Sequence, residues 1–208
     1  MRARRARTYP NIDLEHLSKE GKIDTICASV ANALWISEDM RKDTNIHVVL
    51  EGPDKGPKTI SFFGSDLRGV HYEERSLALI IKEALRRGEH LNLNEEAHVR
   101  SGVKIAKKSF ERLVWEKTLQ QAELGKPCPQ LVVLDKDGED IRKAQLSRNI
   151  LSIFGSAEGL PPKVGKFMKD MGAKKVSLGP VVLFAAHCPI IVHNELDRRY
   201  GLKKKNKM

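Results

Sequence analysis

The chain has 208 residues, 40% of them hydrophobic and 31% charged, with a formal net charge of +10. This is enough apolar material for the core of one large unit, and no apolar run approaches the ~20 residues that a membrane-spanning helix needs. Three scattered cysteines, Cys27, Cys128 and Cys188, with no CxxC pair, argue against a zinc site or a disulfide framework and for a reduced, cytoplasmic compartment.

The positive charge sits at the ends. Arg2, Arg4, Arg5 and Arg7 open the chain, and Arg198, Arg199, Lys203, Lys204, Lys205 and Lys207 close it. With those ten set aside, the other 27 Lys and Arg match the 27 Asp and Glu. A neutral body with basic termini (residues 1–10 and 198–208) suits a polyanion, and RNA or DNA is the natural partner. MRARRAR has no apolar stretch behind it, so it does not read as a secretory signal.

Taken in order, the elements alternate between helical and extended patterns. Residues 23, 26, 27, 30, 33 and 34 are apolar and make a helical face over 23–36. NIHVVL (45–50) and KTISFF (58–63) read as strands around a GPDKGP turn. YEERSLALIIKEALRR (72–87) is a helix, acidic at its start and basic at its end, stopped by Gly88. Residues 89–101 read as a polar loop, 103–106 as a short extended piece, and 110–124 as a helix closed by Gly125. QLVVL (130–134) is a buried strand followed by a DKDGED turn. NILSIF (149–154), a short helix over 163–171, KVSL (175–178) and a last helix over 190–200 complete the pattern. The alternation predicts an α/β fold with a mostly parallel sheet flanked by helices, as a single domain over 1–208.

In open α/β sheets, ligands collect at the carboxyl ends of strands. Here those ends are Leu134, Gly155 and Leu178, with glycines that let a ligand approach the main chain. No GxxxxGK[ST], GxGxxG, GxSxG or HExxH motif is present, and no metal site is expected.

Five stretches in order, GKIDTICASVANALWISEDMRKD, ISFFGSDLRGVHYEERSLALIIKEAL, LVVLDKDGED, IFGSAEG and VSLGPVVLFAAHCPIIVHNELD, resemble the SPOUT class of S-adenosylmethionine-dependent RNA methyltransferases. More narrowly, they are similar to the archaeal tRNA pseudouridine-54 N1-methyltransferases. The resemblance implies a C-terminal trefoil knot, a homodimer, tRNA as partner and S-adenosylmethionine as cofactor. It places the cofactor against Leu134, Gly155, Leu178, Gly179, Pro180, Val181, Val182, Leu183 and Cys188. A related knotted enzyme acting on ribosomal RNA or another nucleotide atom, or a non-catalytic RNA-binding factor of the same fold, is the alternative. Two departures stand out: MRARRAR occupies the place of an opening strand, and Lys22 replaces an arginine.

Methyl transfer from a sulfonium to a ring nitrogen needs alignment more than a strong base. Asp24 and Arg41 are the foremost candidates for orienting the uracil ring, or for stabilising its anion. Arg75 and the basic end residues Arg198, Arg199, Lys203, Lys204 and Lys205 are candidates for gripping RNA. Cys188 reads as pocket wall and as the cap of the last helix, with Pro189 at the first helical position. His187 and His193 read as packed or helix-surface residues rather than as bases.

Overall fold

The computed structural model describes residues 1–156 and 159–201. The strands β1 (Arg2–Ala3), β2 (Asn45–Leu50), β3 (Lys58–Phe63), β4 (Glu96–Arg100) and β5 (Val103–Ala106) form one sheet in the order β1-β2-β3-β5-β4. A second sheet holds β6 (Gln130–Asp140), β7 (Ile150–Ile153) and β8 (Lys174–Ser177) in the order β7-β6-β8. The helices are α1 (Ile23–Leu34), α2 (Glu74–Arg87), α3 (Phe110–Lys117), α4 (Leu119–Glu123), α5 (Pro162–Asp170) and α6 (Cys188–Tyr200). The class is α/β as expected, but the mostly parallel sheet is corrected to a mixed arrangement. The β2–β3, β3–β5 and β4–β5 pairs are antiparallel, whereas β6 pairs in parallel with both β7 and β8. The GPDKGP turn is short enough to return the chain as a hairpin, and no crossover helix intervenes.

The opening arginine-rich segment does form a strand. Arg2 and Ala3 pair in parallel with Val49 and Leu50. On its other side, the Arg2 N–H donates to the Phe154 carbonyl at 2.9 Å, and the Ser156 N–H donates to the Arg2 carbonyl at 3.0 Å. These two residues therefore join the two sheets edge to edge. The charge is accommodated locally. Arg2 pairs with Glu51 at 2.7 Å and lies over the Phe110 ring, while Ala3 and Ala6 are buried. Alternation of small and charged residues thus serves as a strand pattern once the long side chains find partners.

Other boundaries moved for identifiable reasons. Glu96–Arg100 is an edge strand rather than loop; its polar side chains face solvent, and Lys104 reaches across to Glu96 at 2.8 Å. The DKDGED segment is not a simple turn. Leu134 and Glu139 both pair with Val176, so 135–138 bulge outward before β6 resumes. Gly138 permits this, because a Cβ there would stand 2.5 Å from the Val176 nitrogen. The helix expected over 110–124 breaks at Thr118, whose hydroxyl donates back to the Val114 carbonyl at 2.7 Å.

The face predicted for α1 is correct: Ile23, Ile26, Cys27, Val30, Ala33 and Leu34 are all buried. They belong to the largest core cluster, with Phe62, Leu77, Ile81 and Ile105. Phe154, Ala185 and Cys188 join that same cluster, so the segment leading into α6 packs directly on α1.

Since β1 begins halfway along β2, a space one strand wide separates the first half of β2 from the first half of β7. The cavity there has a volume of about 450 Å³.

Candidate active site

Strands β6, β7 and β8 run in the same direction, so their carboxyl ends gather three loops on one edge. Leu134 ends the first part of β6, and its half-buried side chain packs between two core clusters. Gly155 follows β7. A Cβ on it would lie 2.5 Å from the Gly159 carbonyl carbon and oxygen, so the loop folds back on itself only over a glycine. Leu178 follows β8 and also touches both clusters. The Ser177 hydroxyl steadies the next turn, donating to the Gly179 carbonyl at 3.0 Å.

Beyond Gly179 the chain exposes apolar side chains. Val181 is 66% exposed, Val182 78% and Phe184 77%. A single 3-10 turn, Ala185–His187, then leads into α6. Asn32 of α1 holds this turn, its amide donating to the Ala186 carbonyl at 2.8 Å. Sequence reasoning missed Asn32, because a contact spanning 154 positions leaves no local signal. Gly159 and Gly179 face open space. The loops thus combine bare backbone with an apolar wall, a donor set suited to an adenine ring and a thioether chain.

Cys188 is buried at the first residue of α6, with Pro189 next to it. The cap is His187, one residue earlier than expected. Burial pushes the Cys188 thiol up, which fits a wall and not a nucleophile. Cys27 is more extreme: burial first, then Glu74 and Asp24, raise it to about 12.

The other candidates are spread out. Asp24 lies in the first turn of α1, next to Lys22, which caps the helix in the left-handed conformation (φ 69°). One carboxylate oxygen of Asp24 is buried with no hydrogen-bond partner among the described residues. Arg41 sits at the other end of α1, where its N–H donates to the Leu34 carbonyl at 2.7 Å. About 15 Å of helix separates the two. Arg41 forks onto Asp197 of α6, donating to Oδ1 at 3.0 Å and also to Oδ2. His193, one turn before Asp197, is lowered by burial and by Arg41, against an opposing effect of Asp197. Arg75 pairs with Glu15 at 2.6 Å on the surface.

Arg198 donates to Asn194 at 3.0 Å. Arg199 braces the segment after β6, donating to the carbonyls of Ala144 and Ile141 at 2.6 Å each. Lys203, Lys204 and Lys205 lie outside the described residues. No group of His, Cys, Asp and Glu suited to a metal ion occurs among the described residues.

The Arg41–Asp197 fork is nearly buried on its arginine side, at 9% exposure. Removing one partner strands the other charge. Arg41→Gln and Asp197→Asn should each lower unfolding free energy by ~1–3 kcal/mol, with the double variant well short of the sum. Urea unfolding of the four proteins measures this, and additive losses would show that the pair is not coupled.

Residues 1–200 match the protein family described as "Putative SAM-dependent RNA methyltransferase". The chain belongs to this family. Among its relatives, a tRNA (pseudouridine(54)-N(1))-methyltransferase of Methanococcus aeolicus is 38% identical over 204 residues, covering 95% of each chain. A protein of the same description from Methanocella arvoryzae is 37% identical over 196 residues, covering 94% of this chain and 95% of its own. Among solved structures, Archaeoglobus fulgidus Nep1 bound to S-adenosylhomocysteine superposes with a TM-score of 0.50. It shares 10% identity and covers 86% of this chain and 70% of its own. That likeness concerns the fold of this methyltransferase-family chain. Its α/β architecture with mixed sheets is of the kind found in that neighbour.

Proposed function

We propose that the protein transfers a methyl group from S-adenosylmethionine to N1 of pseudouridine at position 54, in the T loop of tRNA. The observation that carries this reading is identity above 35% along essentially the whole length of relatives described by that activity. The bound cofactor supplies an electrophilic methyl on a sulfonium, with a neutral thioether as leaving group.

The chain's own task is to hold, align and dry the reacting atoms. Gly159 and Gly179 leave room for the main chain to approach a ligand, and Gly155 lets Gly159 pack closely against it. Leu134, Leu178 and the segment through Leu183 wall it, and Cys188 closes the base of the loop. N1 of pseudouridine carries a proton, which must leave as the N–C bond forms. Asp24, with its unpartnered buried oxygen, is our candidate to accept a hydrogen bond from the ring. Arg75 and the basic end residues Arg198 and Arg199 are candidates for contacting phosphates.

We also take the C-terminal region to be knotted. Support comes from the end of α6, where Arg199 and Tyr200 bond the carbonyls of Ile141, Ala144 and Leu146 in the segment between β6 and β7. The apolar Val181, Val182, Phe184 and Ile190, all exposed, favour a homodimer in which a second copy covers them. No described helix is long and apolar enough to cross a membrane, and the cytoplasm, where tRNA is modified, is the proposed setting for the full 1–208 unit.

The test is methyl transfer from labelled cofactor to a T-loop RNA carrying either pseudouridine or uridine at the target position. Uridine's N1 is the glycosidic nitrogen and has no proton to lose, so only the pseudouridine RNA should be labelled. Equal labelling of both would sink the N1 assignment. A second expectation concerns the tail. Deleting 202–208 should weaken tRNA binding and flatten its salt dependence with cofactor affinity unchanged, and tRNA affinity that does not move at several salt concentrations would exclude a phosphate-gripping tail.

A further inference from the structure

The cavity between β2 and β7 is lined along β7 from Arg148 to Phe154 and by Pro189 of α6, so it reaches the neighbours of Gly155 and Cys188 while neither of those two residues lines it. Of the residues singled out above as catalytic, cofactor-contacting or RNA-binding, only Arg41 lines it, and Asp197 occupies that guanidinium.

Most of the rest of the lining is apolar, with two further basic side chains and several amides among it. Lys117 projects from α3, and Arg148 stands just ahead of β7. The Met1 amino group is beside them, donating to the His47 carbonyl at 2.8 Å. Asp43 is the one lining carboxylate besides Asp197. Lys117 and Lys104 both stand over the Phe63 ring at 5.9 Å. Burial first, and then Lys108, lower the Lys117 ammonium against the opposing effects of Glu116 and Glu96.

Backbone groups face the same space. Because Val49 N–H donates to Met1 and His47 C=O accepts from it, strand alternation turns the peptide groups of Asn45 and His47 toward the cavity. The Arg2 contacts at Phe154 and Ser156 turn Ser152 the same way. Leu113 and Val114 supply an apolar wall, and Gln121 and Asn149 contribute amides.

We propose that this cavity is a nucleotide-binding site separate from the cofactor loops. Lys117 and Arg148 take the phosphate, the strand edges and amides take the base edge, and Leu113 and Val114 pack against its face. A volume of about 450 Å³ is in the range of small-molecule sites and is far larger than a bare anion requires. The phosphate belongs either to a free nucleotide or to one residue of an RNA strand.

The experiment uses the full chain saturated with S-adenosylmethionine, so that the cofactor loops are filled. Uridine monophosphate and a T-arm RNA are titrated by calorimetry into the unmodified protein, Arg148→Gln and Lys117→Met. Uridine monophosphate binding once per chain, weakened about tenfold or more in each variant, supports a free nucleotide as occupant. Loss of RNA affinity in both variants, with no binding of the monophosphate, supports an RNA residue. Amide shifts at Asn45, His47 and Ser152 on titrating the unmodified protein give a readout independent of variant folding. Affinities for both ligands that ignore both substitutions, or amides that neither ligand moves, overturn the proposal.

Discussion

Lowering the pH from 8 to 5 should destabilise the protein steadily, well before its carboxylates titrate. Three cavity-lining groups are held below their ordinary values. Burial lowers the Met1 amino group to about 5. Burial, then Lys117 and the N-terminus, lowers His47 to about 3. His193 moves down as well, chiefly through burial. Each is a base whose folded value lies below its unfolded one. The unfolded chain therefore binds protons first as the pH falls, and the stability present at high pH is lost. For Met1 the window runs from about 8 to about 5, and for His47 from about 6.5 to about 3. Each contributes a slope of up to ~1.4 kcal/mol per pH unit within its window.

Urea unfolding at pH 8, 6.5 and 5 measures the total. His47→Gln should flatten the curve below pH 6.5 while leaving the Met1 portion above it. A stability that is level from pH 8 to pH 5 would mean that these groups are solvated in the folded protein. Asp140, held down to about 2 by Arg142, acts in the opposite sense. Its contribution is present above its unfolded value near 3.8 and disappears only in stronger acid, so the two effects separate along the pH axis.

Gly155→Ala should cut affinity for S-adenosylmethionine by at least about tenfold while barely moving the melting temperature. The added methyl would meet the Gly159 carbonyl carbon and oxygen at 2.5 Å. Both are backbone atoms, so Gly155 and Gly159 must move apart rather than a side chain swing aside. Ile153 and Phe154, just before Gly155, remain anchored in the packed clusters.

Gly159→Ala is the informative contrast. Gly159 has φ +65° but nothing within 4 Å of a would-be Cβ. An alanine there costs ~1–2 kcal/mol of backbone strain without pushing Gly155 away. Calorimetric titration of both variants distinguishes them. Equal, undiminished cofactor affinity in the two would remove Gly155 from the pocket.

Much of this architecture could be read from local pattern. The α1 face emerged from six apolar positions because a helix that buries one side must repeat them every three to four residues. The strands over 45–50 and 58–63 and the three strand ends at Leu134, Gly155 and Leu178 emerged the same way. The failures were contacts at long sequence separation. Nothing in MRARRAR announces that Arg2 will find Glu51, Phe110 and Phe154. Nothing in EAHVR announces an edge strand, since its polar residues face water on a sheet and in a loop alike. The bulge at Gly138 depends on the Val176 backbone, and the Asn32 latch depends on Ala186. Arg41 was legible as a residue of interest, but its partner, Asp197, was visible only in three dimensions.

The two-residue strand at the start has a further consequence, for the order in which the molecule can be assembled. Arg2 lies in the middle of the joined sheets, flanked by Val49 on one side and Phe154 to Ser156 on the other. Its second neighbour is made about 150 residues later than Arg2 itself. Until then the seam between the sheets stays open, and the segment ahead of it has only half its hydrogen bonds. Closure of that seam is therefore a late event of high contact order, and a nascent chain arrested before residue 150 should present an unpaired strand edge to whatever it meets.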